Sequence, residues 1–243
     1  MTQPTSLAGA PRRARGGAAR VRPAAVLWDM DGTLIDSEPY WMAAETELVE
    51  AHGGTWTQED GLGLVGNALD ASARVLRAAG VDLGVDEIID LLVERVRSQV
   101  LGRVPWQVGA HRLLGDLVAA GVPSALVTMS FRRLADAVVS GAPPNAFAAV
   151  VCGDEVERGK PDPEPYLRAA AAIGVDVTQC VAVEDSPTGV ASALASGART
   201  IGVRVMVPIE RRPGLSRISS LADLDLDLLG RVAAGEVVDL LGE

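Results

Sequence analysis

The 243-residue chain contains only two cysteines, two histidines and one lysine, and its formal net charge is −10. Cys152 and Cys180 sit in apolar runs without CxxC spacing, so no thiol motif is present and both read as reduced core residues of a cytoplasmic protein. No apolar run approaches the length of a membrane span, which excludes a membrane-crossing segment. The acids are spread along the chain, which argues against a nucleic-acid-binding body. His52 and His111 lie in helical stretches without partnered spacing and read as surface or capping residues rather than ligands. Nothing in the sequence sets an oligomeric state.

With 48% apolar residues, a chain of this length can bury one core of ordinary size and a smaller inserted one. Residues 1–22 differ in kind: Arg12, Arg13, Arg15, Arg20 and Arg22 stand among Gly, Ala and Pro with no acid, which predicts a disordered basic arm. Arg12 and Arg13 raise a twin-arginine export signal, but AAVLW behind them is too short for its apolar region.

From Pro23 onward, strand-length runs alternate with helical patterns. AAVLW, VPSALVT, AAVVCG, CVAVE and RTIGVRV are apolar on both faces, as buried parallel strands are. Punctuation marks the helices between them. Ser130 is placed to cap FRRLADAVV before Gly141, Asp162-Pro163 opens a helix reaching Gly174, and Ser186-Pro187 opens one ending near Gly197. The tail from Arg217 onward is periodic enough for one or two closing helices. Between Glu38 and Pro105 there is helical periodicity and no convincing strand. The expected fold is therefore α/β, a doubly wound, Rossmann-like parallel sheet with an inserted all-helical cap. Residues 23–37 supply the first strand and a flap, 38–105 the cap, and 106–243 the rest of the core with its helical tail. Such an insert would sit over the carboxyl end of the sheet, as a lid or as a satellite domain with no gating role.

The chemistry-bearing residues fall at the ends of the expected strands. Asp29 and Asp31 are two positions apart on an extended chain and so face one spot. Their repulsion calls for a cation or a shared proton, and Mg²⁺ takes oxygen ligands together with phosphate. A calcium loop fits less well, because Gly32 comes too early and the flank is a strand; a purely structural loop is the other alternative. Thr128, Met129 and Ser130 lie at a strand-to-helix turn suited to cradling phosphate. Glu184 and Asp185 form a second acidic pair beside a capped helix start. Lys160 is the one lysine against twenty-one arginines, which marks a place where a compact point charge suits and a planar fork does not.

These four segments, Asp29-Met-Asp31-Gly-Thr33, Thr128, Lys160 in GKPDPEPY and Glu184-Asp185 in VEDSPTGVASALASG, resemble the ordered motifs of the haloacid dehalogenase superfamily from about Pro23 to Val203. The likeness is to its helical-cap branch of β-phosphoglucomutase and sugar-phosphate phosphatases. It implies that Asp29 is the nucleophile and that Asp31 is the general acid and base, its backbone carbonyl binding Mg²⁺. It further implies that Asp29, Asp185 and Glu184 hold the metal, and that Thr128 and Lys160 hold the phosphoryl oxygens of a small phosphorylated metabolite. The family's dehalogenases have no acid/base aspartate at the second position, so Asp31 points to phosphate chemistry.

Two departures weigh against the mutase. Trp41 stands where β-phosphoglucomutase has a histidine, and Gly66-Asn67-Ala68-Leu69 replaces its arginine-bearing loop. DSEPYW is similar to DSEPLW in phosphatases of hexitol and 2-deoxyhexose phosphates. Trp41, Gly66 and Asn67 are accordingly candidate substrate contacts, with a cap-packing role for Trp41 left open. The expected function is a Mg²⁺-dependent phosphatase of sugar or sugar-alcohol phosphates. A phosphomutase, a phosphoglycolate-type phosphatase and a binding protein with a relict site are the alternatives.

Overall fold

The computed structural model describes residues 21–65 and 67–242. The arm expected over 1–22 thus falls outside the described residues except for Val21 and Arg22, and Gly66 falls outside as well. Arg22 donates from its guanidinium to the Ala120 carbonyl, tying this end of the chain to the body.

The core is a six-stranded, all-parallel sheet: β1 (Val26–Trp28), β2 (Ser124–Val127), β3 (Ala149–Val151), β4 (Val181–Glu184), β5 (Arg199–Val203) and β6 (Leu215–Ile218), in spatial order β3-β2-β1-β4-β5-β6. The chain winds outward from β1 through β2 to β3, then returns to the other side of β1 with β4. The order of strands therefore reverses between β1 and β4, where open α/β sheets form their ligand crevice.

Alternation along β1 explains the two layers of helices. Val26 and Trp28 point into one hydrophobic cluster with α5 (Ala110–Ala120), α6 (Arg132–Ser140) and α9 (Leu226–Ala233). Leu27 points into the other, with α7 (Glu164–Ile173) and α8 (Pro187–Ser196). All three β1 residues are fully buried, as a strand covered on both faces requires. Left-handed glycines end the helices at Gly121, Gly174 and Gly197.

Among the described residues, four helices fill the insert: α1 (Glu38–Ala51), α2 (Gln58–Leu62), α3 (Leu69–Ala78) and α4 (Val85–Gly102). Ile88, Leu92 and Val96 on α4 and Leu48 on α1 are buried in the same cluster as the sheet's upper face. The two connections to the core run side by side: Asp36 N–H donates to the Pro105 carbonyl at 2.8 Å and Gln107 N–H to the Leu34 carbonyl at 2.9 Å. None of the helices among the described residues is long and apolar enough to cross a membrane.

The expected closing helix is α9, the one α-helix after β6 among the described residues, while strand β6 (Leu215–Ile218) itself is not among the strand-length runs read from sequence. Its pattern is obscured because Arg217 is buried in the strand, its guanidinium 2.7 Å from Asp239 and 2.9 Å from the Ile209 carbonyl. One expectation is corrected: Ser130 does not cap α6. Phe131 takes the N-cap position, the first-turn N–H of Arg132 goes to Asp154, and the Ser130 hydroxyl is engaged elsewhere. The other two starts hold. Ser186 accepts from Gly189 N–H, and Asp162 accepts from Glu164 N–H across Pro163.

Candidate active site

The carboxyl ends of β1, β2 and β4 place their next residues together. Asp29 N–H still donates to the Val183 carbonyl and Thr128 N–H to that of Val151, so both residues leave the sheet in register. Asp29, Glu184 and Asp185 are buried, and they present carboxylate oxygens within 4.8 Å of one another. Lys160, from the segment between β3 and α7, puts its ammonium 2.6 Å from Asp29 Oδ1, 2.6 Å from Glu184 Oε1 and 2.9 Å from the Val127 carbonyl. Its side chain is 5% exposed, and the Tyr166 ring lies 5.3 Å from the ammonium. Tyr166 also donates its hydroxyl to Glu184 Oε1 at 2.7 Å.

Three carboxylates against one ammonium leave this cluster short of positive charge. Burial pushes Asp29 up to about 7, with Glu184 adding to the rise and Lys160 opposing it. Asp185 is raised well above the usual carboxylate range by burial and then by Asp29 and Glu184. Burial pulls Lys160 down, but the two carboxylates in contact with it more than offset this and keep it charged. Asp29 Oδ2 is buried without a hydrogen-bond partner. A divalent cation meets both needs: it takes up the free oxygen and balances the excess acid. The donor set fits a hard, oxygen-seeking metal.

Two glycines make this packing possible. Gly32 has φ +82°, and a β-carbon there would overlap the Asp185 carboxylate, which Thr33 holds by a hydroxyl at 3.2 Å. Gly189, in the first turn of α8, lies so close to the Glu184 carboxylate that a β-carbon would overlap it. Gly189→Ala is expected to lower the thermal unfolding midpoint by about 5 °C, an overpacking cost at a site that cannot relax. Differential scanning calorimetry checks this.

Asp31 lies in different surroundings. Its Oδ1 accepts from Ser37 at 2.6 Å and from the Trp41 indole at 3.4 Å; its Oδ2 accepts from Ser130 at 2.8 Å and Thr128 at 3.3 Å. These are four neutral donors and no cation. Its carboxylate stands apart from the acidic cluster. The cradle expected at residues 128–130 is therefore partly spent, because Ser130 N–H also donates to Thr128 Oγ1 at 2.9 Å. Met129 contributes its sulfur, which accepts from Lys160 N–H at 3.3 Å.

Above these groups a cavity of about 160 Å³ opens between core and cap. Asp29, Asp31, Thr128, Met129, Ser130, Lys160 and Asp185 line its floor, while Trp41 and Asn67 lie on its cap side. Trp41 is both a packing residue, 9% exposed in the core cluster, and a lining residue. Asn67 also donates to the Gly63 carbonyl at 3.3 Å. Ser37, Thr33, Tyr166 and the cap acids Glu38 and Glu45 were not singled out from sequence. Ser37 and Tyr166 do sit inside the quoted motifs, six residues after Asp31 and Lys160 respectively, but nothing in one dimension shows which carboxylate they serve. The histidines are outside the cavity lining: His52 bonds the Leu48 carbonyl and His111 meets the Trp106 ring edge-on.

Comparison with known proteins agrees with this geometry. Hexitol phosphatase A of Escherichia coli (strain K12) is 34% identical over 183 residues, covering 73% of this chain and 81% of that protein. N-acetylmuramic acid 6-phosphate phosphatase of Pseudomonas aeruginosa is 31% identical over 195 residues, covering 76% and 83%. Among solved structures, CbbY from Rhodobacter sphaeroides in complex with xylulose-(1,5)bisphosphate superposes with TM-score 0.75 at 26% identity, covering 83% of this chain and 96% of that one. The family model for haloacid dehalogenase-like hydrolases matches residues 23–197, which contain every group of the acidic cluster, Lys160 and Asp31, and the chain belongs to that family.

Proposed function

We propose that the protein is a Mg²⁺-dependent phosphatase that hydrolyses small phosphorylated metabolites, sugar or sugar-alcohol phosphates, through an aspartyl-phosphate at Asp29. The observation that carries this reading is the contrast between the two aspartates. Asp29 is buried against an ammonium and two further carboxylates, whereas Asp31 is held by four neutral donors at the cavity floor. Two carboxyl groups in such different environments suit two different tasks.

In the first step an Asp29 carboxylate oxygen forms a bond to phosphorus as the bond to the leaving oxygen breaks, and Asp31 gives its proton to that oxygen. In the second step Asp31 takes a proton from water, the water oxygen bonds to phosphorus, and the Asp29–phosphorus link breaks to release inorganic phosphate. Lys160 and the Thr128 hydroxyl would turn to neutralise and orient the phosphoryl oxygens when substrate enters. Ser37, Ser130 and the Trp41 indole keep Asp31 aimed at the leaving group. Mg²⁺, held by Asp29, Asp185, the Asp31 backbone carbonyl and Glu184, would neutralise charge on the transferring group.

The cavity also bears on the mutase alternative. No arginine lines it among the described residues, and Lys160 is already paired, so a second phosphate finds no cation. Chelation with EDTA is expected to abolish hydrolysis of p-nitrophenyl phosphate, and Mg²⁺ to restore it. Independently of turnover, saturating Mg²⁺ is expected to raise the thermal unfolding midpoint by about 5 °C or more, since a ligand at 100 times its Kd stabilises by about 2.7 kcal/mol. An unchanged midpoint and EDTA-resistant turnover would remove the metal from the account.

A further inference from the structure

Gln107 has no role in the chemistry above, yet its side chain reaches the loop that carries Asp31. It lies where the chain returns from the cap to the core. Ile35 on the outgoing connection pairs antiparallel with Trp106 on the return, and Gln107 N–H donates to the Leu34 carbonyl. The Gln107 carbonyl accepts from Ala110 N–H at 3.0 Å, at the start of α5. Its main chain is thus fixed on both sides, and its side chain starts from a defined place. From there the amide donates to the Gly32 carbonyl at 3.2 Å, across 75 residues of sequence.

Gly32 is buried, and no main-chain N–H among the described residues donates to its carbonyl. A buried carbonyl requires a donor, and Gln107 supplies it. The same peptide unit continues into Thr33, which is fully buried and donates its hydroxyl to Asp185 Oδ1 at 3.2 Å. That is the one hydrogen bond to the Asp185 side chain among the described residues. Gly32 itself borders Asp185 Oδ2, where a β-carbon would overlap it. Residues 32 and 33 therefore form the seat of this carboxylate. The close approach and the φ of +82° require glycine at position 32, and glycine is the residue least able to hold its own backbone in place. The restraint has to come from outside the loop.

Building on the phosphatase reading and its metal, we infer that Gln107 is a positioning residue for the metal ligand Asp185, acting through the Gly32–Thr33 peptide. Ligating carboxylates are aimed by the groups that hydrogen-bond them, and losing such a partner costs about 10- to 100-fold in metal affinity. Without the Gln107 amide the Gly32 carbonyl would turn toward another donor and carry Thr33 with it.

The test is isothermal titration calorimetry with Mg²⁺ alone on the full chain: wild type, Gln107→Met, Thr33→Val, the double variant and Gln107→Glu. Gln107 is half-buried, so Met and Glu, both close to it in size, are accommodated. The Mg²⁺ Kd is expected to rise about 10-fold in Gln107→Met and in Thr33→Val. The double variant should bind no more weakly than the weaker single one, because both changes release the same restraint. Gln107→Glu should also weaken binding, although its added negative charge alone would strengthen it. Hydrolysis of p-nitrophenyl phosphate lost at low Mg²⁺ should return as Mg²⁺ is raised, since Asp29, Asp31 and Lys160 are untouched. Wild-type Mg²⁺ affinity in Gln107→Met and Gln107→Glu, folded by circular dichroism, would overturn the role of Gln107 and leave the phosphatase reading standing. Effects that multiply in the double variant would equally overturn it, because Gln107 would then not act through Thr33. A wild type that binds no Mg²⁺ would overturn the metal reading and this inference with it.

Discussion

Asp29→Ala is expected to reduce phosphate-ester hydrolysis by roughly ten-thousand-fold or more, to the level of residual binding and charge effects, because the bond to phosphorus would have no other maker. Asp31 is not a substitute: four hydrogen bonds hold it, and it stands apart from the acidic cluster. The loss is not an unfolding effect. Removing Asp29 relieves a crowded set of buried acids, and Lys160 retains Glu184 at 2.6 Å and the Val127 carbonyl at 2.9 Å. The thermal midpoint of the variant should therefore be no lower than that of wild type in the absence of metal, while its response to Mg²⁺ should shrink. Steady-state assays with p-nitrophenyl phosphate and thermal scans with and without Mg²⁺ check both halves.

Lys160→Arg is expected to lower kcat by about 100-fold or more although the charge is conserved. The ammonium is a compact donor that reaches Asp29, Glu184 and a main-chain carbonyl at once from a side chain 5% exposed. A guanidinium is wider and planar, and the carboxylate of Glu184 is already pressed against Gly189 on the other side. It would have to displace either Glu184 or the nucleophile. The drop should appear in kcat with circular dichroism unchanged. A near-normal rate would show that charge alone, and not its point geometry, matters here.

Much of this was legible before the structure, and the reason is local. Of the five strands read from sequence, β1, β2 and β4 are runs buried on both faces, which cannot be mistaken for amphipathic pattern, and chemistry-bearing residues stand at their ends. The two-residue spacing of Asp29 and Asp31 foretold one shared cavity floor, but not that the two carboxylates would have separate surroundings there. What stayed hidden depends on partners distant in sequence. Strand β6 escaped because the Arg217 inside it looks solvent-facing until Asp239 is seen to meet it. Ser130 looked like a helix cap because its hydroxyl's true acceptor, Asp31, lies 99 residues earlier. Glu45 carries no signal in one dimension, and only the closing of the cap over the sheet buries it at the cavity.

The proposed mechanism turns on a covalent step, in which phosphate would reside for a time on Asp29. Asp31→Asn should trap it there with p-nitrophenyl phosphate, since nitrophenolate departs without a donated proton whereas the attacking water still needs a base. Quenching that variant with borohydride during turnover, followed by peptide mass spectrometry, reads the acyl phosphate directly. The expected product is homoserine in place of aspartate at position 29, dependent on substrate and Mg²⁺. An unmodified residue 29, with phosphate still released at the wild-type rate, would contradict it.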